Sequence, residues 1–290
     1  MKPPRFEYLA PRALEEALVL LAQYGERAKI LAGGQSLIPL LNFRLIHPEA
    51  LIDIGRLPEL DYIRGSDGGV VIGALARQHA VESSGAIRNS LPIVAEACRH
   101  IGHLPIRHRG TIGGNLAHAD PASELPAVML ALDAEFALAS RTGRRAVPAE
   151  QFFTGALTTA LHPGELLVEI SARSLPPRTG SAFLEVARRK GDYALAGAAV
   201  VVTFDGAGRC QDARIALCAV GATPVRAREA ERALVGETPR GDVLREAIER
   251  VAAAIDPPSD IHASARFRRK LAQFCTRQAI EVAVQRAGDT

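Results

Sequence analysis

The sequence has few aromatic residues, about 4% of the 290, and no tryptophan. Few side chains are therefore available to stack on nucleic-acid bases, and a formal net charge of +3 is too small to indicate a nucleic-acid surface. No apolar run approaches the roughly 20 residues that a membrane-spanning helix needs. The amino-terminal segment also lacks the apolar core of a secretion signal. We therefore predict a cytoplasmic protein, and a peripheral position at the inner face of the membrane stays open.

Cysteine is also scarce. The four cysteines are far apart and form no C-x-x-C pair, and none has a histidine at metal-ligand spacing; they are Cys98, Cys210, Cys218 and Cys275. This spacing argues against a structural zinc ion and against an iron–sulfur cluster held by this chain alone. We predict buried, unreactive thiols and no metal site.

The chain has about the length of two compact domains, and an α+β fold is predicted. The best boundary is the stretch 175–180, whose two prolines cannot belong to a central strand. Alternating strand and helix patterns before it predict two α/β subdomains, at about 1–57 and 58–175. After it, strands at 182–188, 194–204 and 213–220 precede three helical patterns. Residues 181–290 are thus predicted to form a three-stranded antiparallel sheet with a helical bundle.

Two glycine pairs are candidates for ligand binding. Gly33-Gly34 follows a predicted strand, and Gly113-Gly114 lies in a glycine-rich break. Paired glycines let several backbone N–H groups converge on one anion, and Ser36, Thr111 and Asn115 add side-chain donors. Neither G-x-G-x-x-G nor G-x-x-x-x-G-K-[ST] occurs, which argues against a Rossmann site and a P-loop. The chemistry predicts a phosphate-bearing ligand of unknown identity, such as a pyrophosphate held between the two loops, with simple tight turns as the alternative.

Three motifs, in order along the chain, carry a family resemblance. They are LAGGQSLIPL at 31–40 with PEALIDI at 48–54, IRHRGTIGGN at 106–115 with HADPASE at 118–124, and RRKGDYA at 188–194. Together they closely resemble the FAD-binding medium subunit of carbon monoxide dehydrogenase and xanthine dehydrogenase-like molybdenum hydroxylases. The resemblance extends over nearly the whole chain.

The resemblance implies FAD in a cleft between two subdomains of a PCMH-type fold. Residues 32–36 and 111–115 would hold the diphosphate, Glu124 would contact the ribose, and Tyr193 would lie beside the isoalloxazine. Asp120 is predicted first as a helix cap and only second as a flavin-site residue. The cofactor-binding residues predicted on this basis are Ala32, Gly33, Gly34, Gln35, Ser36, Leu37, Thr111, Ile112, Gly113, Gly114, Asn115, Asp120, Glu124, Leu166, Lys190 and Tyr193.

One position departs from the family pattern. Such subunits often carry a lysine, as a flavin contact, two residues after an aromatic residue that lies a few positions before the third motif. Here Phe183 is followed by Leu184 and Glu185. Because a carboxylate cannot donate a hydrogen bond as lysine does, that contact is lost or altered, or it is supplied by Lys190.

The resemblance implies an electron-transfer flavoprotein subunit with no catalytic residue of its own. Its partners would be a large subunit with a molybdenum cofactor and a small [2Fe–2S] subunit, in a heterohexamer built as a dimer of heterotrimers. Electrons would pass from the iron–sulfur clusters to FAD and then to an external acceptor. A self-sufficient flavin oxidase and a non-enzymatic flavin or nucleotide-binding module are the alternatives. The substrate stays open among carbon monoxide, purines, aldehydes and heteroaromatics.

Overall fold

A computed structural model describes residues 2–66 and 68–288 of the chain. Its strands are β1 (Glu7–Leu9), β2 (Ala28–Leu31), β3 (Ala50–Asp53), β4 (Ile63–Ser66), β5 (Gly69–Gly73), β6 (Glu135–Ser140), β7 (Gly143–Pro148), β8 (Phe153–Gly155), β9 (Thr158–Thr159), β10 (Leu166–Arg173), β11 (Thr179–Ala187), β12 (Ala194–Phe204), β13 (Cys210–Cys218) and β14 (Val225–Arg226). Its α-helices are α1 (Leu14–Tyr24), α2 (Leu37–Asn42), α3 (Gln78–Ser83), α4 (Gly85–Ser90), α5 (Pro92–Cys98), α6 (Leu104–Arg109), α7 (Ile112–His118), α8 (Glu124–Ala131), α9 (Ala149–Phe152), α10 (Arg228–Leu234), α11 (Gly241–Ala254) and α12 (Ala265–Gly288).

The first sheet is parallel, with the strand order β1-β3-β2. The predicted strand–helix–strand unit is confirmed, because α2 connects the paired strands β2 and β3. Helix α1 buries the apolar stripe that predicted it, including Leu14, Leu18 and Leu21, and ends at Gly25, whose φ of 55° suits glycine. Strand β1, which has only three residues, was not predicted.

The second sheet is antiparallel throughout, with the order β4-β5-β10-β6-β7. Its core side chains pack with those of α5 and α8, as Phe136 and Ile170 do with Val94 and Val128. This part is therefore α+β rather than the predicted α/β. The chain passes through six helices, α3 to α8, between β5 and β6, and β10 then enters the sheet between those two strands.

The carboxy-terminal sheet has four antiparallel strands, in the order β11-β12-β13-β14, and not the three that were predicted. The fourth strand has two residues, too few for any periodicity in the sequence. Helices α10 to α12 pack on one face of this sheet, where Val200 contacts the same core as Ile248 and Ile280. The opposite face, with Val201, joins the core of the second sheet. Burial on both faces explains the continuous apolar run of β12.

An ion pair fastens α12 to the rest of the chain. The Arg286 guanidinium donates to both oxygens of Glu96, at 2.8 and 3.0 Å, and to the carbonyl of Ser181 at 2.6 Å. Glu96 also accepts the N–H of Phe183 at 3.2 Å. The start of β11 is thereby fixed against α5. Over residues 2–66 and 68–288, no helix combines the length and the apolar character needed to span a membrane.

Candidate cofactor site

A cavity of about 790 Å³ lies between the first sheet, the second sheet and the turn at 188–194. This volume is in the usual range for a cofactor pocket. The predicted site residues that line it are Ala32, Gly33, Gly34, Gln35, Ser36, Leu37, Thr111, Gly113, Gly114, Asn115, Asp120, Glu124, Leu166 and Tyr193. Two others do not reach it: Ile112 is fully buried in the core, and Lys190 is exposed in the turn after β11.

The loop after β2 presents unpartnered donors. The backbone N–H groups of Gly34, Gln35 and Ser36 donate to no acceptor in the described part of the chain. Gly34 has a φ of 75°, which an L side chain rarely adopts. Ser36 is the residue before α2, and its hydroxyl makes no capping hydrogen bond. These residues line the cavity, and successive free N–H groups in such a loop can bind an anion.

Gly33 has a different role from Gly34. A Cβ added there would lie 2.3 Å from the carbonyl oxygen of Arg109 and 2.8 Å from the Cα of Gly110. The Arg109 carbonyl is itself held by the guanidinium of Arg77, at 2.5 Å. Gly33 is therefore required because the second motif, at Arg109 and Gly110, packs directly against it.

The second motif is not a glycine-rich break, because α7 begins inside it. Thr111 is the N-cap residue, and its Oγ1 accepts the N–H of Gly114 at 3.0 Å. The N–H groups of Ile112 and Gly113 donate at 3.0 and 2.9 Å to carbonyls in residues 74–76. A Cβ on Gly113 would lie 2.5 Å from a side chain in the same segment. These N–H groups are thus already partnered, unlike those of the first loop.

Asp120 does not cap a helix as predicted. Its Oδ1 accepts the N–H of Ala122 at 2.9 Å, in the turn between α7 and α8, and α8 begins at Glu124 with Ser123 before it. The Ser123 hydroxyl donates to Oδ1 of Asn115 at 2.8 Å. This bond orients the Asn115 amide and leaves its NH₂ group available at the cavity wall.

Glu124 is the most perturbed acid at the cavity. Its residue is 6% exposed; burial, followed by the charges of Glu185 and Asp120, raises the pKa of Glu124 to about 8. Glu185, the departure from the family pattern, does not line the cavity. Its side chain is 5% exposed, and Oε1 lies 3.2 Å from Nδ1 of His100.

Tyr193 lies at the edge of the cavity and is 68% exposed. The turn before it depends on Gly191, whose φ is 86°. A Cβ added to Gly191 would lie only 2.7 Å from the ring of His103, so a side chain does not fit there. Partial desolvation, with smaller contributions from the carboxylates of Asp120 and Glu124, raises the pKa of the Tyr193 phenol. The phenol is therefore neutral at ordinary pH.

Several residues at the cavity were not predicted. Gln78 is buried, and its Oε1 has no partner in the described chain. His118 also lines the cavity, and burial lowers its pKa, which favours the neutral imidazole. The loop before β10 is held by Glu165, which accepts two bonds of 2.7 Å from Arg145 and one of 2.8 Å from the N–H of His162. Gln78 and Glu165 are isolated polar residues outside the three motifs, so the sequence offered no signal for them, whereas His118 belongs to the second motif.

Free backbone donors beside paired glycines, in a large cavity between two sheets of an α+β fold, are typical of a protein that binds an anionic ligand such as a phosphate-bearing cofactor. Comparison with protein families narrows this class. Residues 4–172 match the family described as FAD binding domain in molybdopterin dehydrogenase. Residues 181–283 match the family described as CO dehydrogenase flavoprotein C-terminal domain.

Individual relatives match this chain over nearly its full length. The chain is 44% identical over 290 residues to the 6-hydroxypseudooxynicotine dehydrogenase complex subunit alpha of Paenarthrobacter nicotinovorans, covering 100% of this chain and 98% of that one. A carbon monoxide dehydrogenase structure from Hydrogenophaga pseudoflava matches with a TM-score of 0.96 and 41% identity, covering 99% of both chains. The structure of quinoline 2-oxidoreductase from Pseudomonas putida 86 matches with a TM-score of 0.94 and 40% identity, again covering 99% of both.

The chain belongs to the family of FAD-binding medium subunits of carbon monoxide dehydrogenase and xanthine dehydrogenase-like molybdenum hydroxylases. The family resemblance predicted from the three motifs is confirmed. The protein is an FAD-binding, electron-transfer subunit of oxidoreductase complexes. Neither a self-sufficient flavin oxidase nor a non-enzymatic module receives support from these comparisons.

Proposed function

We propose that the chain binds FAD noncovalently in the 790 Å³ cavity and transfers electrons between subunits of a heterohexamer, a dimer of heterotrimers. Substrate oxidation takes place at a molybdenum cofactor on a large partner subunit. A small partner subunit carries the [2Fe–2S] clusters that deliver the electrons, which then leave to an external acceptor. The unpartnered N–H groups of Gly34, Gln35 and Ser36 carry this proposal, because they fit a diphosphate.

The two loops divide the work of holding the diphosphate. Backbone N–H groups of the first loop donate to the phosphate oxygens, and the hydroxyl of Ser36 is free to do the same. The second motif contributes the Asn115 amide and the Thr111 hydroxyl proton, while its glycines allow α7 to pack close behind the ligand. Neither 32–37 nor 111–115 contains a histidine or cysteine for covalent attachment.

The remaining wall orients the nucleotide. Glu124 contacts the ribose, Leu166 packs on the ring system or adenosine, and Tyr193 lies beside the isoalloxazine. FAD, when bound, supplies the ability to accept and release electrons, and the protein supplies binding and orientation. Lys190 is a poor substitute for the family lysine because it is exposed and away from the cavity wall.

The cysteines support the division between subunits. All four are free and buried, so this chain has no thiolate ligands to offer an iron–sulfur cluster. The relatives described above are named for 6-hydroxypseudooxynicotine, carbon monoxide and quinoline. Such different substrates support substrate selection on a partner subunit. We place the complex in the cytoplasm.

The test is purification of the tagged full-length chain from its source cells, followed by cofactor analysis. We expect a yellow complex that contains iron and molybdenum and that releases FAD on acid denaturation. A flavin that stays on the denatured chain would refute noncovalent binding. Flavin without iron or molybdenum would refute the partner assignment, and a colourless complex would refute the cofactor assignment.

A further inference from the structure

The solvent-facing side of α12 carries two exposed phenylalanines. Phe267 is 48% exposed and Phe274 is 54% exposed. They are two helical turns apart, so both lie on one face of the helix. The opposite face packs on the carboxy-terminal sheet and buries Ala272, Cys275 and Ala279. About half of each aromatic residue is therefore left uncovered by the contacts of this chain.

A third apolar side chain is held next to the start of α12. Ile261, in the loop before the helix, is 92% exposed. Asp260 fixes this loop, because its Oδ1 accepts the N–H groups of His262 and Ala263 at 2.8 and 2.9 Å. Its Oδ2 accepts the guanidinium of Arg268 on α12 at 2.7 Å. The exposure of Ile261 is therefore imposed by the loop conformation.

Cations border these apolar side chains. Arg266 and Lys270 are exposed and Arg277 is partly exposed, and all three lie on the face of α12 that carries the two rings. None of the three takes part in an ion pair in the described part of the chain. Arg269, by contrast, donates to two carbonyls at the end of α11, both at 3.2 Å. The only acidic residue of α12 is Glu281, near its end, which accepts a bond from a glutamine. The surface is thus apolar with a positive border, and we call it the α12 patch: Ile261, Arg266, Phe267, Lys270, Phe274 and Arg277.

The α12 patch is connected to the turn at the edge of the cavity. The Arg268 guanidinium donates to the carbonyl of Leu195 at 2.8 Å, and the Cys275 thiol donates to that of Ala196 at 3.6 Å. Leu195 is two residues after Tyr193, which lines the cavity. The first half of α12 therefore packs on the strand that leaves this turn. A molecule that covers the patch is held near the cavity edge.

We propose that the α12 patch is a docking surface for the small [2Fe–2S] subunit, which meets it with an apolar surface bordered by aspartate and glutamate. Exposed aromatic side chains beside arginine have the composition of a protein interface. Unpaired cations that become covered need carboxylates opposite them, because burying them alone is costly. The electron donor is the partner that must lie near the flavin, and the patch adjoins the cavity turn. The inference rests on the proposed function, which assigns the clusters to this partner.

The first experiment follows dissociation of the complex on dilution, by mass photometry, after purification through a tag on the full-length chain. Phe267→Ser combined with Phe274→Ser should raise the concentration at which the iron–sulfur subunit leaves by about tenfold or more. Lys270→Glu combined with Arg277→Glu should do the same, because it opposes like charges. Lys270→Arg keeps the charge and should assemble like the wild type. FAD content should not change in any variant, because the patch does not line the cavity.

Matched controls lie elsewhere on the same domain. Val235, in the turn after α10, is an exposed apolar residue, and Arg240, before α11, is an exposed cation. Val235→Ser and Arg240→Glu should leave the dissociation concentration unchanged. Equal weakening in the controls and in the patch variants would overturn the assignment of this surface.

Zero-length cross-linking of the wild-type complex identifies the occupant. A carbodiimide joins an amine to a carboxylate that contacts it, and Lys270 supplies the amine. Mass spectrometry of the cross-linked peptides should show Lys270 joined to an aspartate or glutamate of the iron–sulfur subunit. This measurement needs no substitution, so it decides the question even if a variant does not fold.

The outcomes separate this inference from the proposed function. If the wild-type complex contains no iron, the proposed function fails, and the inference fails with it. If iron is present but the patch variants dissociate like the wild type, only the inference is overturned. Cross-links from Lys270 to the large subunit or to a second copy of this chain would also overturn it. Binding of the wild type to phosphatidylglycerol vesicles that the Phe267→Ser and Phe274→Ser variant loses, with assembly unchanged, would show a membrane surface instead.

Discussion

Replacing Gly33 by alanine tests whether the packing of the two motifs builds the FAD site. The added Cβ would lie 2.3 Å from the carbonyl oxygen of Arg109, 2.8 Å from the Cα of Gly110 and 3.0 Å from the carbonyl carbon of Arg109. All three are backbone atoms, which cannot rotate away as a flexible side chain can. The Arg109 carbonyl is also held by Arg77. The substitution must therefore separate the two segments.

Ordinary van der Waals contact requires a displacement of about 1 Å at this point. Overpacking of this kind costs typically about 1–3 kcal/mol. If the cost falls on the bound geometry, the dissociation constant of FAD rises by roughly 5- to 150-fold. If it falls on folding, the free energy of unfolding decreases by the same amount. The displaced N–H groups of Gly34 and Ser36 lead us to expect that most of the cost appears in FAD affinity.

Both quantities are measured on the same preparations, affinity by flavin fluorescence and stability by urea unfolding of the flavin-free chain. Gly85→Ala is the matched control. Gly85 is the first residue of α4, and a Cβ there meets no atom within 4 Å. Alanine at such a position is neutral or stabilising by about 0.4–1 kcal/mol, and FAD affinity should not change.

The reasoning would be refuted if Gly33→Ala bound FAD as tightly as the wild type and unfolded at the same urea concentration. The two segments would then not be in the close contact that the structure gives them. Loss of stability without any loss of FAD affinity would instead show that the contact supports the fold but does not position the first loop for the ligand.

Three further predictions test other parts of the protein. Tyr193→Ala should retain most FAD affinity but change the flavin absorption spectrum and the rate of reoxidation by oxygen in stopped-flow experiments; identical spectra and rates would place the ring away from the flavin. Glu165→Gln should lower the free energy of unfolding, measured by urea unfolding, by about 1 kcal/mol at pH 7. Because Arg145 lowers the pKa of Glu165, the difference in stability between wild type and variant should vanish as the pH falls through that lowered pKa. A difference in stability that does not change with pH would contradict this. Arg286→Ala should lower the free energy of unfolding by about 1 kcal/mol, by removing the pair with Glu96, while FAD affinity is unchanged; equal stability would show that the pair contributes nothing.

Elements with a strong hydrophobic pattern could be predicted from the sequence. The stripe of α1 ends at Gly25, and the apolar run of β12 spans eleven residues with the same bounds in sequence and structure. The buried state of the four cysteines was also predicted correctly. In each case the local pattern and the tertiary environment agree, which makes the pattern informative.

Other elements depend on tertiary contacts that the sequence does not display. β14 has two residues and exists because Val225 and Arg226 pair with β13. β7 was not predicted, because its side chains are largely exposed while its backbone pairs with β6. α7 contains Gly113 and Gly114, which disfavour a helix by about 1 kcal/mol each. The N-cap of Thr111 and the close packing on residues 74–76 outweigh this propensity.

The two glycine pairs look alike in the sequence but serve different purposes in the structure. In the first loop, Gly34 adopts a left-handed φ and N–H groups remain free, whereas Gly33 accommodates the backbone of Arg109 and Gly110 in the second motif. In the second motif, Gly113 allows α7 to approach residues 74–76, and its N–H is already bonded within the protein. Paired glycines therefore mark two places where backbones approach closely, and only the first of them has free backbone N–H groups in the described part of the chain. The hydrogen-bond partners of each N–H, which the sequence does not contain, decide which loop can offer backbone donors to an anion.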